Sequence, residues 1–136
     1  MPLAAVCQYA DFMSKGPLDR LRTICLALPG TEERLSHGEP CWFIENGKQF
    51  VSFDDHHHGE DRLAFWCAAP EGSQAALVES NPDQYFVPPY VGHRGWLGVR
   101  LDRAPDWDEI EDVVLDAFLT VAPKRIADQL PDRHDH

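Results

Sequence analysis

The spacing of apolar residues changes twice along the chain. Between Pro17 and Leu28 they fall at Leu18, Leu21, Cys25 and Leu28, with Ile24 beside them, while Arg20 and Arg22 point elsewhere. That spacing makes one helical stripe; Pro17 suits a first turn that needs no N–H from it, and Pro29-Gly30 ends the helix. From there to about residue 67 the period shortens to two. A short strand near Arg34 to His37 is followed by CWFIE, QFVSFD and RLAFWC, rich in aromatic and branched residues. Asn46-Gly47-Lys48, between CWFIE and QFVSFD, predicts a hairpin because Asn and Gly tolerate the positive φ of tight turns. DHHHGED lies where QFVSFD and RLAFWC must turn round, so the three histidines read as a longer hairpin loop bent at Gly59.

Helical spacing then returns. PEGSQAALVESNPD, residues 70–83, predicts a short helix around Ala75, Ala76 and Leu77 that Pro82 ends. Tyr85 to Gly92 (YFVPPYVG) reads as extended, and RGWLGVRLD as a final strand. In DWDEIEDVVLDAFLTVA, residues Ile110, Val113, Val114, Ala117, Phe118 and Val121 share a helical face, with Asp106 as cap and Glu109 at the capping-box position. Pro123 breaks this helix and KRIADQL adds a turn or two. The order predicts an α+β fold: a single antiparallel β-sheet with N- and C-terminal helices packed on one face. The expected organisation is a lead-in over 1–16, one domain over 17–130 and a solvated tail over 131–136.

Composition narrows this reading. A chain of 136 residues with 43% hydrophobic and 26% charged residues can bury a core without disulfides or metal. The opening MPLAAVCQYADFMSKG lacks a basic n-region, and no segment approaches the roughly 20 apolar residues of a membrane helix, so a cytoplasmic, non-membrane protein is expected. Cys7, Cys25, Cys41 and Cys67 form no C-x-x-C pair; the last three sit in apolar segments, as buried free thiols do. The net charge of -11 and pI near 4.9 oppose phosphate-backbone binding, whose affinity comes mostly from Lys and Arg. Any nucleic-acid role therefore needs a local basic patch.

Strand alternation supplies one. In RLAFWC, Leu63, Phe65 and Cys67 oppose Arg62, Ala64 and Trp66; in RGWLGVRL, Leu97, Val99 and Leu101 oppose Arg94, Trp96, Gly98 and Arg100. The aliphatic sets are expected to meet the helices. Arg62, Trp66, Arg94, Trp96 and Arg100 then share the face left open, with His37, Lys48, Tyr90 and His93 on its rim. Guanidinium forks and indole faces suit a planar anion; the bland alternative is that Arg and Trp cover the sheet by stacking on one another.

The string LALPGTEERLSHGEPCWFIENGKQF, with YVGHRGWLGVRLD and the C-terminal amphipathic helix, resembles the MmcQ/YjbR family from about Pro17 to Leu130. The resemblance rests on Leu28-Pro29-Gly30 with Glu33, His37-Gly38 before Pro40, Gly47-Lys48 before Phe50, and Tyr90-Val91-Gly92 before Gly95-Trp96. It implies an antiparallel-sheet domain similar to the frataxin-like arrangement, usually labelled DNA-binding. That label makes nucleic acid the named partner, single-stranded before duplex, because stacking tolerates an acidic protein better than a phosphate track does. The alternatives are a small anionic metabolite binder or enzyme, and a protein-interaction or dimerisation domain on the same face.

Other clusters carry less. Successive side chains in an extended DHHHGED diverge; Asp54, His56 and His58 are the alternates that would suit zinc or nickel, but a solvated turn is preferred and no metal or cofactor is expected. Asp106, Asp108, Glu109, Glu111, Asp112 and Asp116 invite comparison with the acidic ridge of frataxin. That ridge centres on the first helix, which here carries Asp19, Arg20 and Arg22, so a macrodipole-complementing helix start and a solvated face are expected instead. There is no Gly-rich phosphate loop or nucleophile elbow, and His37 and Cys41 make a poor dyad across a turn, so no catalytic residue is assigned.

Overall fold

The computed structural model describes residues 16–45, 47–55 and 63–130. Helix α1 (Pro17–Leu26) carries Pro at its start and buries Leu21 and Cys25 completely. Its last carbonyls are met by Thr31, whose Oγ1 lies 2.9 Å from the Cys25 oxygen and 2.8 Å from that of Leu28. Gly30, at φ 70°, reverses the chain between helix and sheet, and Ile126 packs where a side chain there would sit.

Strand β1 (Thr31–Ser36) is longer than its apolar content suggests, because it is an edge strand carried by its neighbour β2 (Glu39–Ile44). His37 and Gly38 link them with φ of 54° and 84°, the two left-handed positions of a tight hairpin turn. Next come β3 (Gln49–Asp55), β4 (Leu63–Cys67), helix α2 (Ser73–Ser80), β5 (Tyr85–Phe86), β6 (Leu97–Arg100), helix α3 (Trp107–Val121) and the short α4 (Lys124–Ala127). The six strands run in the order β1-β2-β3-β4-β6-β5 and every neighbouring pair is antiparallel. The fold is thus α+β, as the spacing predicts.

Two stretches differ from the sequence reading. Tyr85–Phe86 pairs with β6 as a two-residue edge strand, and Gly92–Arg94 forms a 3-10 turn, so β6 starts at Leu97 rather than at Arg94. The cause is Gly95, whose φ of 84° no extended strand contains. Gly98 matters for a different reason: the Phe86 ring occupies the space a side chain there would need.

The core lies between one sheet face and helices α1, α3 and α4. Paired residues Phe65 with Val99, and Cys67 with Leu97, are all buried against Ile110, Val114, Ala117 and Phe118 of α3. A register shift beside Trp42 and Phe43 lets consecutive Phe50 and Val51 both be buried, and the Phe50 ring meets Phe118 edge-on at 5.8 Å. Asp106 caps α3 through the amides of Asp108 and Glu109. Glu109 in turn accepts the hydroxyl of buried Tyr85, tying α3 to β5; burial, followed by that carboxylate, pushes the Tyr85 phenol up. Cys25, Cys41 and Cys67 are free and buried, while Cys7 lies outside the described residues. No helix among the described residues is long and apolar enough to cross a membrane.

Candidate ligand cavity

Cross-strand pairing defines the opposite sheet face row by row. Trp66 stands opposite Gly98 and Ser52; Ser52 stands opposite Cys41, and Cys41 opposite Arg34. Ala64 lies between Asp54 and Arg100 in the next row. Residues directly opposite one another share a face, so these side chains form one surface away from α1 and α3.

Part of that surface is concave. A cavity of about 1000 Å³ runs along it and turns the end of the sheet to Thr120 and Val121, the last residues of α3; Phe43, Ser52 and Trp66 line its stretch on the open face. At one end stand Lys48, Arg94, Trp96 and Tyr90; at the other, His37, Glu39 and Asp54. The loop before β6 makes the first end: Tyr90 is held at φ 67°, Gly92–Arg94 turns, and the Arg94 guanidinium lies 5.3 Å from the centre of the Trp96 ring. Stacking of this kind holds a planar cation in place while its N–H edge faces outward.

Of the nine binding residues expected from sequence, Trp66, Arg94, Trp96, His37, Lys48 and Tyr90 line this cavity. Arg100 shares the face but forks onto Asp102, with Nε and Nη2 each at 2.9 Å, and that carboxylate also faces the Leu63 amide. The fork holds the Asp102 carboxyl below its ordinary pKa. His93 is exposed in the 3-10 turn and is not among the lining residues. Arg62, His56 and His58 lie outside the described residues, as does the Gly59 bend.

Several lining residues were missed. Phe43, Ser52 and Asp54 follow from the alternation already present in CWFIE and QFVSFD, and Glu39 from carrying that of CWFIE two residues back to the start of β2. Asp54 stands out: it is the one charged side chain among the described residues that is buried, at 6% exposure. Glu39 is drawn beside it by the Asp55 amide, which donates to Glu39 Oε2 at 2.7 Å. Arg34 covers Phe43, its guanidinium 3.9 Å from the ring centre.

Cys41 lies under the floor with its sulfur 3.3 Å from Ser52 Oγ, and burial pushes its thiol pKa up, the reverse of an activated nucleophile. Among the described residues no three His, Cys, Asp or Glu side chains gather as metal ligands do. The acidic side chains of α3 divide between its capped first turn and an exposed face.

Fold and cavity together define a class: a small α+β domain that packs its helices on one face of an antiparallel sheet, with a hollow of ligand size running along the other face and round to the end of α3. The YjbR family model matches residues 26–120, and the chain belongs to that family. Among solved structures it is similar to the crystal structure of Deinococcus radiodurans protein DR2400, described by the domain DUF419. The two share 17% identity and a TM-score of 0.68 over 85% of this chain and 89% of the other. A search of curated proteins gave no match.

Proposed function

We propose that the domain binds a flat, anionic molecule of nucleotide size in the open-face cavity. One observation carries this reading: aromatic surface from Trp66, Phe43 and Tyr90, and two cations, Lys48 and Arg94, the latter beside the buried Trp96, line one hollow of about 1000 Å³. Ligand sites are concave and combine apolar and aromatic surface with placed polar groups, and this hollow has both. Phosphate or carboxylate meets Lys48 and Arg94, and a ring stacks on an indole.

A long nucleic acid is the second reading, favoured by Tyr90, which is 72% exposed at the mouth and able to stack a base outside the hollow. It is the lesser one for a chain of net charge -11 whose Arg100 is already forked onto Asp102. Duplex binding draws its affinity from many free phosphate contacts.

Thermal unfolding separates the two. Wild type and Lys48→Glu/Arg94→Glu would be scanned with nucleoside monophosphates, flat aromatic carboxylates and a single-stranded oligonucleotide at low salt. A ligand at ten times its Kd stabilises by about 1.4 kcal/mol, a rise of about 4 °C in a domain this size. A small planar anion that raises Tm in wild type alone supports the reading. Stabilisation by the oligonucleotide alone transfers the site to nucleic acid, and an equal response of the double variant removes it from this cavity.

A further inference from the structure

The cavity carries opposite charge at its two ends, and this bears on which planar anion it takes. Lys48 and Arg94 occupy the end formed by the start of β3 and the loop before β6. Glu39 and Asp54 occupy the end formed by the start of β2 and the finish of β3. Gln49 and Asp54 are five residues apart along β3, roughly 17 Å at ~3.4 Å per residue. Trp66 and Phe43 lie in the floor between.

Asp54 gives the acidic end its weight. It is buried at 6% exposure and still lines the cavity wall. A carboxylate accepts about four hydrogen bonds, so it can hold a donor of the protein and still receive one from a ligand. Glu39, fixed by the Asp55 amide, sets a second acceptor beside it. An all-anionic ligand would be repelled there. A molecule with an anion at one end, a flat ring over the floor and an amino group at the other would be met along its whole length.

Building on the proposed binding of a planar anion, we infer that the ligand is an amino-bearing nucleotide, its phosphate at Lys48 and Arg94 and its exocyclic amino group donating to Asp54 with Glu39 beside it. The sugar between base and phosphate lengthens such a molecule beyond a single aromatic acid, and the long side chains of Lys48 and Arg94 reach inward over the rest of the backbone separation. Asp54 and Glu39 are then the residues that determine specificity.

The test deletes the amino group. Tryptophan fluorescence titrations would compare AMP with purine riboside 5′-monophosphate, and GMP with IMP; each pair differs only by an amino group replaced by hydrogen. Loss of a hydrogen bond to a charged acceptor is expected to weaken binding about tenfold in at least one pair. Asp54→Ala or Glu39→Ala is expected to bring that pair within threefold, since alanine leaves the amino group no side-chain acceptor. Equal binding within threefold in both pairs by wild type overturns the inference, and the wild-type comparison holds even where a variant fails to fold. Discrimination that persists in both folded variants overturns it too. If both members of each pair bind and both are lost in Lys48→Glu/Arg94→Glu, the planar-anion reading stands without its specificity. If none binds, both fall.

Discussion

Tyr90 is the residue at which conformation and cavity meet. Its φ of 67° follows two prolines, at the turn position where glycine is the unstrained choice, and its side chain is 72% exposed. A non-glycine residue in the left-handed region costs about 1–2 kcal/mol, and such strain gathers at functional sites. Tyr90→Gly relieves that strain but frees the unfolded chain by about 0.5–1 kcal/mol, so stability is expected to hold or rise by up to about 1 kcal/mol. Affinity for the planar anion is expected to fall about tenfold, the size of one lost base–aromatic stack. Tyr90→Ala keeps the strain and loses the ring, so it should weaken binding with no gain in stability. Urea midpoints and titrations of the three proteins decide this, and undiminished affinity in both variants would reduce Tyr90 to a bystander. The sequence placed Tyr90 on the rim of the open face; its backbone state belongs to the turn, which no alternation reports.

Among the elements, β1 shows how register supplies what period cannot. Glu33 lies between exposed Glu32 and Arg34 and looks like one more surface acid, yet β1–β2 pairing sets it opposite fully buried Trp42. Its Oε1 accepts the Trp42 indole N–H at 3.0 Å, and Arg22 of α1 forks onto both oxygens at 2.7 and 3.0 Å. Helix, edge strand and core thus share one carboxylate. Glu33→Ala leaves a buried indole donor without its acceptor and is expected to cost about 2–3 kcal/mol. Glu33→Gln keeps an acceptor and loses only a partly exposed ion pair, so its cost is expected to stay below about 1 kcal/mol. Equal losses in urea unfolding would mean that the charge, not the indole bond, carries the contact. The same distinction explains what was readable in the strands. Alternation sorted β4 and β6 onto the correct faces because it needs only the period of two. It misplaced the start of β6 because a 3-10 turn ending at Gly95 interrupts an otherwise extended run, and it gave no sign that β6 slots between β4 and β5.

At the scale of the whole molecule, the amphipathic helices and aromatic strands declared an α+β fold, whereas the hollow depends on strand order and on the loop before β6 closing one end. Those are contacts between distant parts of the chain, and no local pattern encodes them. The same long-range packing gathers three titratable groups in the core. Cys25 and Cys67 are fully buried, Tyr85 is nearly so, and burial is the first cause of the upward shift in all three. Their ordinary values are 9.0 for the thiols and 10.0 for the phenol. When the chain unfolds above those values it releases protons that the native state retains, so the unfolded form binds fewer protons and stability must fall as pH rises. It is expected to show no contribution from these groups below about pH 8.5, then to decline by up to about 1.4 kcal/mol per pH unit for each thiol once above pH 9. The net charge of -11 adds self-repulsion that also grows with pH, but salt screens it, whereas the proton linkage of a buried thiol is insensitive to salt. Urea midpoints followed from pH 7 to 10.5 at low and high salt separate the two. Cys67→Ala, compared with wild type at each pH, is expected to lose one group's share of the slope at both ionic strengths. A slope that salt abolishes, or that Cys67→Ala leaves unchanged, would show that alkaline unfolding of this domain is driven by its surface charge and not by its core.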